Sequence, residues 1–183
     1  MVGLEKRSGN ADGRNFSVDR NISTHLSPRK HEILSFIGMG MSYKEICGRL
    51  IISVHTLHRH ISGTDTVPGI LERFGADTQL QAVLEALESG ELDLGELTEE
   101  FDFGRFDLLT QREREILQET VRDKGKFSSG KSLARTLKIS EQTVKNHFRS
   151  TFRKLDLYGS ASKTRAAVLY LAYRRGLRIV SSG

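Results

Sequence analysis

Residues 129–147 read SGKSLARTLKISEQTVKNH, and residues 42–60, 87 positions earlier, read SYKEICGRLIISVHTLHRH in the same pattern. In the later stretch Ser140 stands where a helix N-cap is wanted, with a side-chain oxygen to accept from a first-turn N–H. Val144 and Phe148 lie four apart and would bury that helix against Leu133, Leu137 and Ile116. Its other face carries Glu141, Gln142, Lys145, Asn146 and Arg149. In the earlier stretch Ser42 and Glu45 form an S-x-x-E capping box, Ile46 and Leu50 give an apolar stripe, and Ser53 caps a further helix. Two short helices joined by a tight turn, the second opening at a serine, outline a helix-turn-helix.

The matching extends outward in both directions. LSPRKHEILSFI, from Leu26, pairs with the stretch from Leu109 at an offset of 83. Leu26 precedes a cap at Ser27, Pro28 takes the first helical position, and Gly38 and Gly40 stop the helix. Thr110 and Glu113 supply the corresponding capping box downstream. QAVLEALESGEL, from Gln81, pairs with AAVLYLAYRRGL at an offset near 85. Three blocks in one order imply a tandem duplication of a four-helix unit of roughly 65–75 residues, a length that folds alone. The expected fold is all-α: two four-helix helix-turn-helix modules, 26–92 and 108–180, joined by an acidic linker at 93–107. Residues 1–25, rich in Gly, Asn, Ser and Arg, read as a flexible arm. The linker, ELDLGELTEEFDFGRFD, reads as solvated and partly helical; docking on a basic neighbour is the other reading.

Charge is divided as sharply as pattern. The net +5 resolves into +1 over residues 1–25, −2 over 26–92, −5 over 93–108 and +11 over 109–183. Basic charge gathered in one module is the footprint of a polyanion binder, most often of nucleic acid. A single cysteine excludes an intramolecular disulfide. No apolar run approaches the ~18 residues of a membrane span, and the first residues lack the apolar stretch of a signal peptide. A cytoplasmic protein is expected, with no membrane partner.

LTQREREIL, SLARTLKISEQTVKNHFRSTFRKLDL and RAAVLYLAYRRGL together resemble the LuxR-type (GerE-type) DNA-binding domain of bacterial transcription regulators. The resemblance spans about residues 108–178, and residues 26–92 carry a weaker, degenerate copy. It implies a sequence-specific DNA-binding transcription regulator whose recognition helix, about 140–153, enters the major groove of double-stranded DNA. There Gln142 and Asn146 suit adenine and Lys145 suits guanine, while His147, Arg149, Arg153 and Lys154 would neutralise phosphates. Ser140 caps the helix, and Thr143 resembles the family position that touches the backbone or a thymine methyl. Weaker DNA contacts are expected from Thr56, His58 and Arg59. The family's last helix often forms a dimer contact, so a homodimer is expected, with Val168, Leu169, Leu171 and Ala172 divided between core and interface. Other transcription regulators or RNA polymerase are the further partners implied.

Departures from the pattern point elsewhere. The second module inserts VRDKGKFSSG between its first two helices and extends YGSASKT. The first has His58 in the place of Lys145 and runs through SGTDTVPG, about six residues longer, where Gly63 and Pro68 should break a helix. It is expected to serve packing, dimerisation or weaker DNA contact. The alternative function is a protein-interaction adaptor or antagonist that modulates another regulator. A metal site on Cys47, His55, His58 and His60 is disfavoured, because His60 points away from His55 and His58 on a helix. Cys47 matches Ala134, a small core position. No catalytic constellation, metal site or cofactor is expected.

Overall fold

The computed structural model describes residues 25–122, 129–159 and 161–176, and residues 1–24 of the expected arm and most of the VRDKGKFSSG insertion lie outside them. Helices α1 (Pro28–Gly38), α2 (Tyr43–Leu50) and α3 (Val54–Ser62) come first, then the short α4 (Ile70–Arg73), α5 (Gln79–Glu88) and α6 (Leu94–Thr98). A 3-10 turn at Phe103–Leu108 leads to α7 (Gln111–Arg122), α8 (Gly130–Leu137), α9 (Glu141–Lys154) and α10 (Ser162–Arg174). Among the described residues there is no strand; the one isolated bridge joins Gly63 and Pro68.

Local chemistry sets these boundaries. Ser42 Oγ accepts from the Glu45 N–H at 3.4 Å while the Glu45 carboxylate accepts from the Ser42 N–H at 2.7 Å. Thr110 and Glu113 form the same reciprocal pair at 3.3 and 2.8 Å. Ser53 and Ser140 accept from the N–H of Thr56 and Thr143, both at 3.0 Å. Ser27 takes the cap position without a side-chain hydrogen bond. Glu91 accepts instead from the Leu26 N–H, at 2.5 Å.

Corresponding positions in the two halves adopt the same geometry. The residue after α2, Ile51, and that after α8, Lys138, are both left-handed, at φ 52° and 53°. Arg29 donates to Leu50 O at 3.4 Å and pairs with Glu32; Arg112 donates to Leu137 O at 2.7 Å and pairs with Glu115. Where α9 runs unbroken for 14 residues, α3 stops after nine. Gly63, at φ 88°, turns the chain into a small loop closed by its bridge to Pro68. After that loop, α4 and the left-handed Gly75 repeat the end of α9 and the left-handed Asp156, at φ 57° and 58°.

The halves share one apolar core. Residues 93–107 are not the solvated linker expected of their acidic composition. Leu94, Leu97, Phe101, Phe103 and Phe106 are buried, and only the acidic side of the segment faces solvent. Phe106 stacks on Tyr173 of α10 at 4.7 Å between ring centroids. The acidic residues alternate with apolar ones because the segment is amphipathic, and α10 supplies the surface that covers it.

Candidate nucleic-acid interface

The positioning of α9 begins with its buried side. Val144, Phe148 and Thr151 face the protein, packed where α7 and α8 meet. Lys163, at the start of α10, lies 5.5 Å above the Phe148 ring; burial pushes its ammonium down to about 8. Beneath the helix Glu113 is 2% exposed. Burial alone would raise its carboxyl, but donors from Lys154, Ser150 and both the hydroxyl and N–H of Thr110 outweigh that and hold it at about 2.

The outer side of α9 exposes Glu141, Gln142, Lys145, Asn146, Arg149 and Arg153. Gln142 Nε2 donates to Asn146 Oδ1 at 3.0 Å, so the two amides brace each other one turn apart. Whichever way the amides are oriented, the pair keeps one free donor and one free acceptor. Among the described residues, Lys145, Arg149 and Arg153 have no acidic partner. Ser140 and Thr143 are tied locally, hydroxyl to hydroxyl at 2.8 Å, and His147 is half-buried. Lys154 is placed differently from its neighbours, its ammonium 2.7 Å from the Glu113 carboxylate. The structure thus brings Gln142, Lys145, Asn146 and Arg149 to one exposed face and turns Lys154 inward.

Three exposed cations did not stand out in the sequence: Lys131 and Arg135 on α8 and Lys138 in the turn. The signal was present, since KSLARTLK carries its charges at spacings of four and three, but exposure needed the packing of α8 on α9. At the matching places in the first half stand Lys44, Gly48 and Ile51. Ile51 is 92% exposed, and Val54, in the place of Glu141, is 49% exposed. Thr56 is half-buried, His58 packs edge-on against Tyr43 at 5.2 Å, and Arg59 is exposed. His60 is half-buried, its imidazole held below its ordinary value by burial and then by Lys30, Arg29 and Arg59. Among the described residues no three His, Cys, Asp or Glu side chains are grouped to hold a metal, those around Cys47 included. No helix of these residues is long and apolar enough to cross a membrane.

Residues 107–169 match the family described as bacterial regulatory proteins, luxR family. Over 69 residues the chain is 41% identical to the nitrate/nitrite response regulator protein NarP of Escherichia coli K12, a stretch covering 38% of this chain and 29% of NarP. Over 60 residues it is 42% identical to the spore germination protein GerE of Bacillus subtilis 168, covering 33% of this chain and 76% of GerE. The match therefore spans under a third of NarP and about three quarters of GerE. No solved structure matches the chain significantly. On its match to GerE across most of that protein, the chain belongs to the luxR family of bacterial regulatory proteins.

Proposed function

We propose that the chain is a sequence-specific DNA-binding transcription regulator, acting in the cytoplasm, that lays α9 in the major groove of double-stranded DNA. One observation carries this reading: α9 offers Gln142, Lys145, Asn146 and Arg149 on one exposed face, with cations that no acid among the described residues neutralises, while its reverse is locked into the core. Donor-rich side chains on the first turns of such a helix meet base edges, and flanking cations meet phosphates. Ser140 and Thr143 set the helix start, and His147 borders the face. The role is binding, without catalysis or a bound cofactor. The test is selection of bound duplexes from a random pool, with Lys145→Ala as control. An enriched motif that the variant loses is expected, with affinity falling steeply as salt rises; no enrichment would sink the reading.

We read residues 26–92 as a second, degenerate copy of the same four-helix module. Its support is the matched geometry at Arg29 and Arg112, Ile51 and Lys138, Ser53 and Ser140, and Gly75 and Asp156. Its reading face has lost the cations of the second copy, which leaves Thr56, His58 and Arg59 as weaker contacts. A second reading, that the chain is an adaptor for another regulator or for RNA polymerase, draws on the exposed Ile51 and Val54. It requires Lys145→Ala and Asn146→Ala to leave regulation unchanged.

A further inference from the structure

The last helix is where the family resemblance implies a contact between copies. In this chain α10 is packed by α7 and α9 of its own half, by α1 and α5 of the other and by α6 of the acidic segment. From Ala166 to Tyr170, and at Ala172, no residue of α10 is more than 3% exposed. The contact with the first half is fitted at atomic distance. A Cβ at Gly40, where φ is +83°, would lie 2.7 Å from Arg165 Cβ of α10, while one at Gly38 would lie 2.9 Å from Leu97 Cδ1 of the acidic segment. The Arg165 guanidinium donates to Leu97 O, and burial holds it below its ordinary value against the pull of Glu100. The corresponding helix α5 is equally enclosed, with Leu80 to Leu84, Ala86 and Leu87 all buried.

We infer that the first half, with the acidic segment, serves as a built-in subunit that occupies α10, so that one chain is the species that binds DNA. The inference rests on the DNA-binding reading above and commits the N-terminal half to a structural partnership. Of the four positions expected to divide between core and interface, Val168, Leu169 and Ala172 are buried and Leu171 alone is half-buried, so α10 leaves a second copy little apolar surface on which to dock. Displacing the first half together with the acidic segment would uncover the Tyr170 and Tyr173 rings that Phe106 covers, and an interface of this packed, apolar kind does not separate as a tethered pair of modules would. The operator is then a single site, or two unlike blocks if α3 also touches DNA, and not an inverted repeat of one block.

The full chain and a duplex carrying its selected motif are weighed by sedimentation velocity and native mass spectrometry. The free chain is expected at its monomer mass of 20.6 kDa at tens of micromolar, with one chain per duplex. Adding a second, inverted copy of the motif should raise apparent affinity by no more than about twofold, the statistical factor. Two linked readers would instead gain of order a hundredfold or more by avidity. A free dimer, two chains on one motif, or an avidity gain on the inverted pair would overturn the inference and leave DNA binding standing. A monomeric chain that enriches no motif would overturn the DNA-binding reading and, with it, the claim that one chain is the binding species.

Discussion

Glu113 and Lys30 occupy matching places in the two halves and carry opposite charge. Glu113 closes a capping box and holds Lys154; Lys30, 6% exposed, donates instead to Pro68 O at 2.5 Å. The loop inserted after α3 thus supplies the acceptor that the missing carboxylate would have provided. The Glu113 carboxyl, ordinarily near 4.5 and held at about 2, binds its proton later in the folded chain than in the unfolded one. Its contribution is therefore complete above about pH 4.5 and is lost as pH falls towards 2, amounting to at most about 3 kcal/mol. Glu113→Gln should lower stability by about 2–3 kcal/mol at pH 7 in urea titrations, with the gap closing below pH 3. The paired amides of Gln142 and Asn146 make a second residue-scale prediction. One free donor beside one free acceptor matches adenine, which offers N6–H and N7, and not guanine, whose N7 and O6 both accept. Asn146→Ala should erase an adenine preference from the selected motif at a cost of about 1–3 kcal/mol there, leaving other positions unchanged.

At the scale of elements, the two helix-turn-helix units share a left-handed residue at the turn, filled by Lys138 in one and by Ile51 in the other. A β-branched residue is poorly suited to that conformation, and Ile51 gains nothing from burial there. Ile51→Gly should raise stability by about 0.5–1 kcal/mol in thermal unfolding, and a loss would show that Ile51 makes contacts in the folded chain. These elements were legible in the sequence because capping is a conversation between neighbours. Ser42 with Glu45, Thr110 with Glu113, and Ser53 and Ser140 with residues three further on all lie within one turn. The exposed face of α9 was legible for the same reason, since helical spacing separates Val144 and Phe148 from Lys145 and Arg149. Lys154 was not, because the acid that draws it inward lies 41 residues away. Nor was the covering of Leu97 and Phe106, which depends on a helix more than 60 residues later in the chain.

At the scale of the whole molecule, the acidic segment behaves as a layer of core between the halves and not as a spacer. A continuous core predicts one unfolding transition for the full chain, monitored by circular dichroism and by Tyr fluorescence alike. Phe106→Ala should move that single transition downward by about 3–5 kcal/mol without splitting it; two separated transitions would show that the halves fold independently. The charge reversal at Lys30 has a consequence for assembly during folding. On the two-copy reading proposed above, the folding hazard is misassembly, α1 docking where α7 belongs, within a chain or between chains. Glu113 welcomes Lys154, whereas Lys30 in its place would set two ammonium groups together in a poorly solvated site. The exchanged arrangement is therefore penalised by like charge, and each first helix is steered to its own half. Lys30→Glu should weaken that discrimination, increasing the exchanged oligomers recovered when the chain is refolded at high concentration.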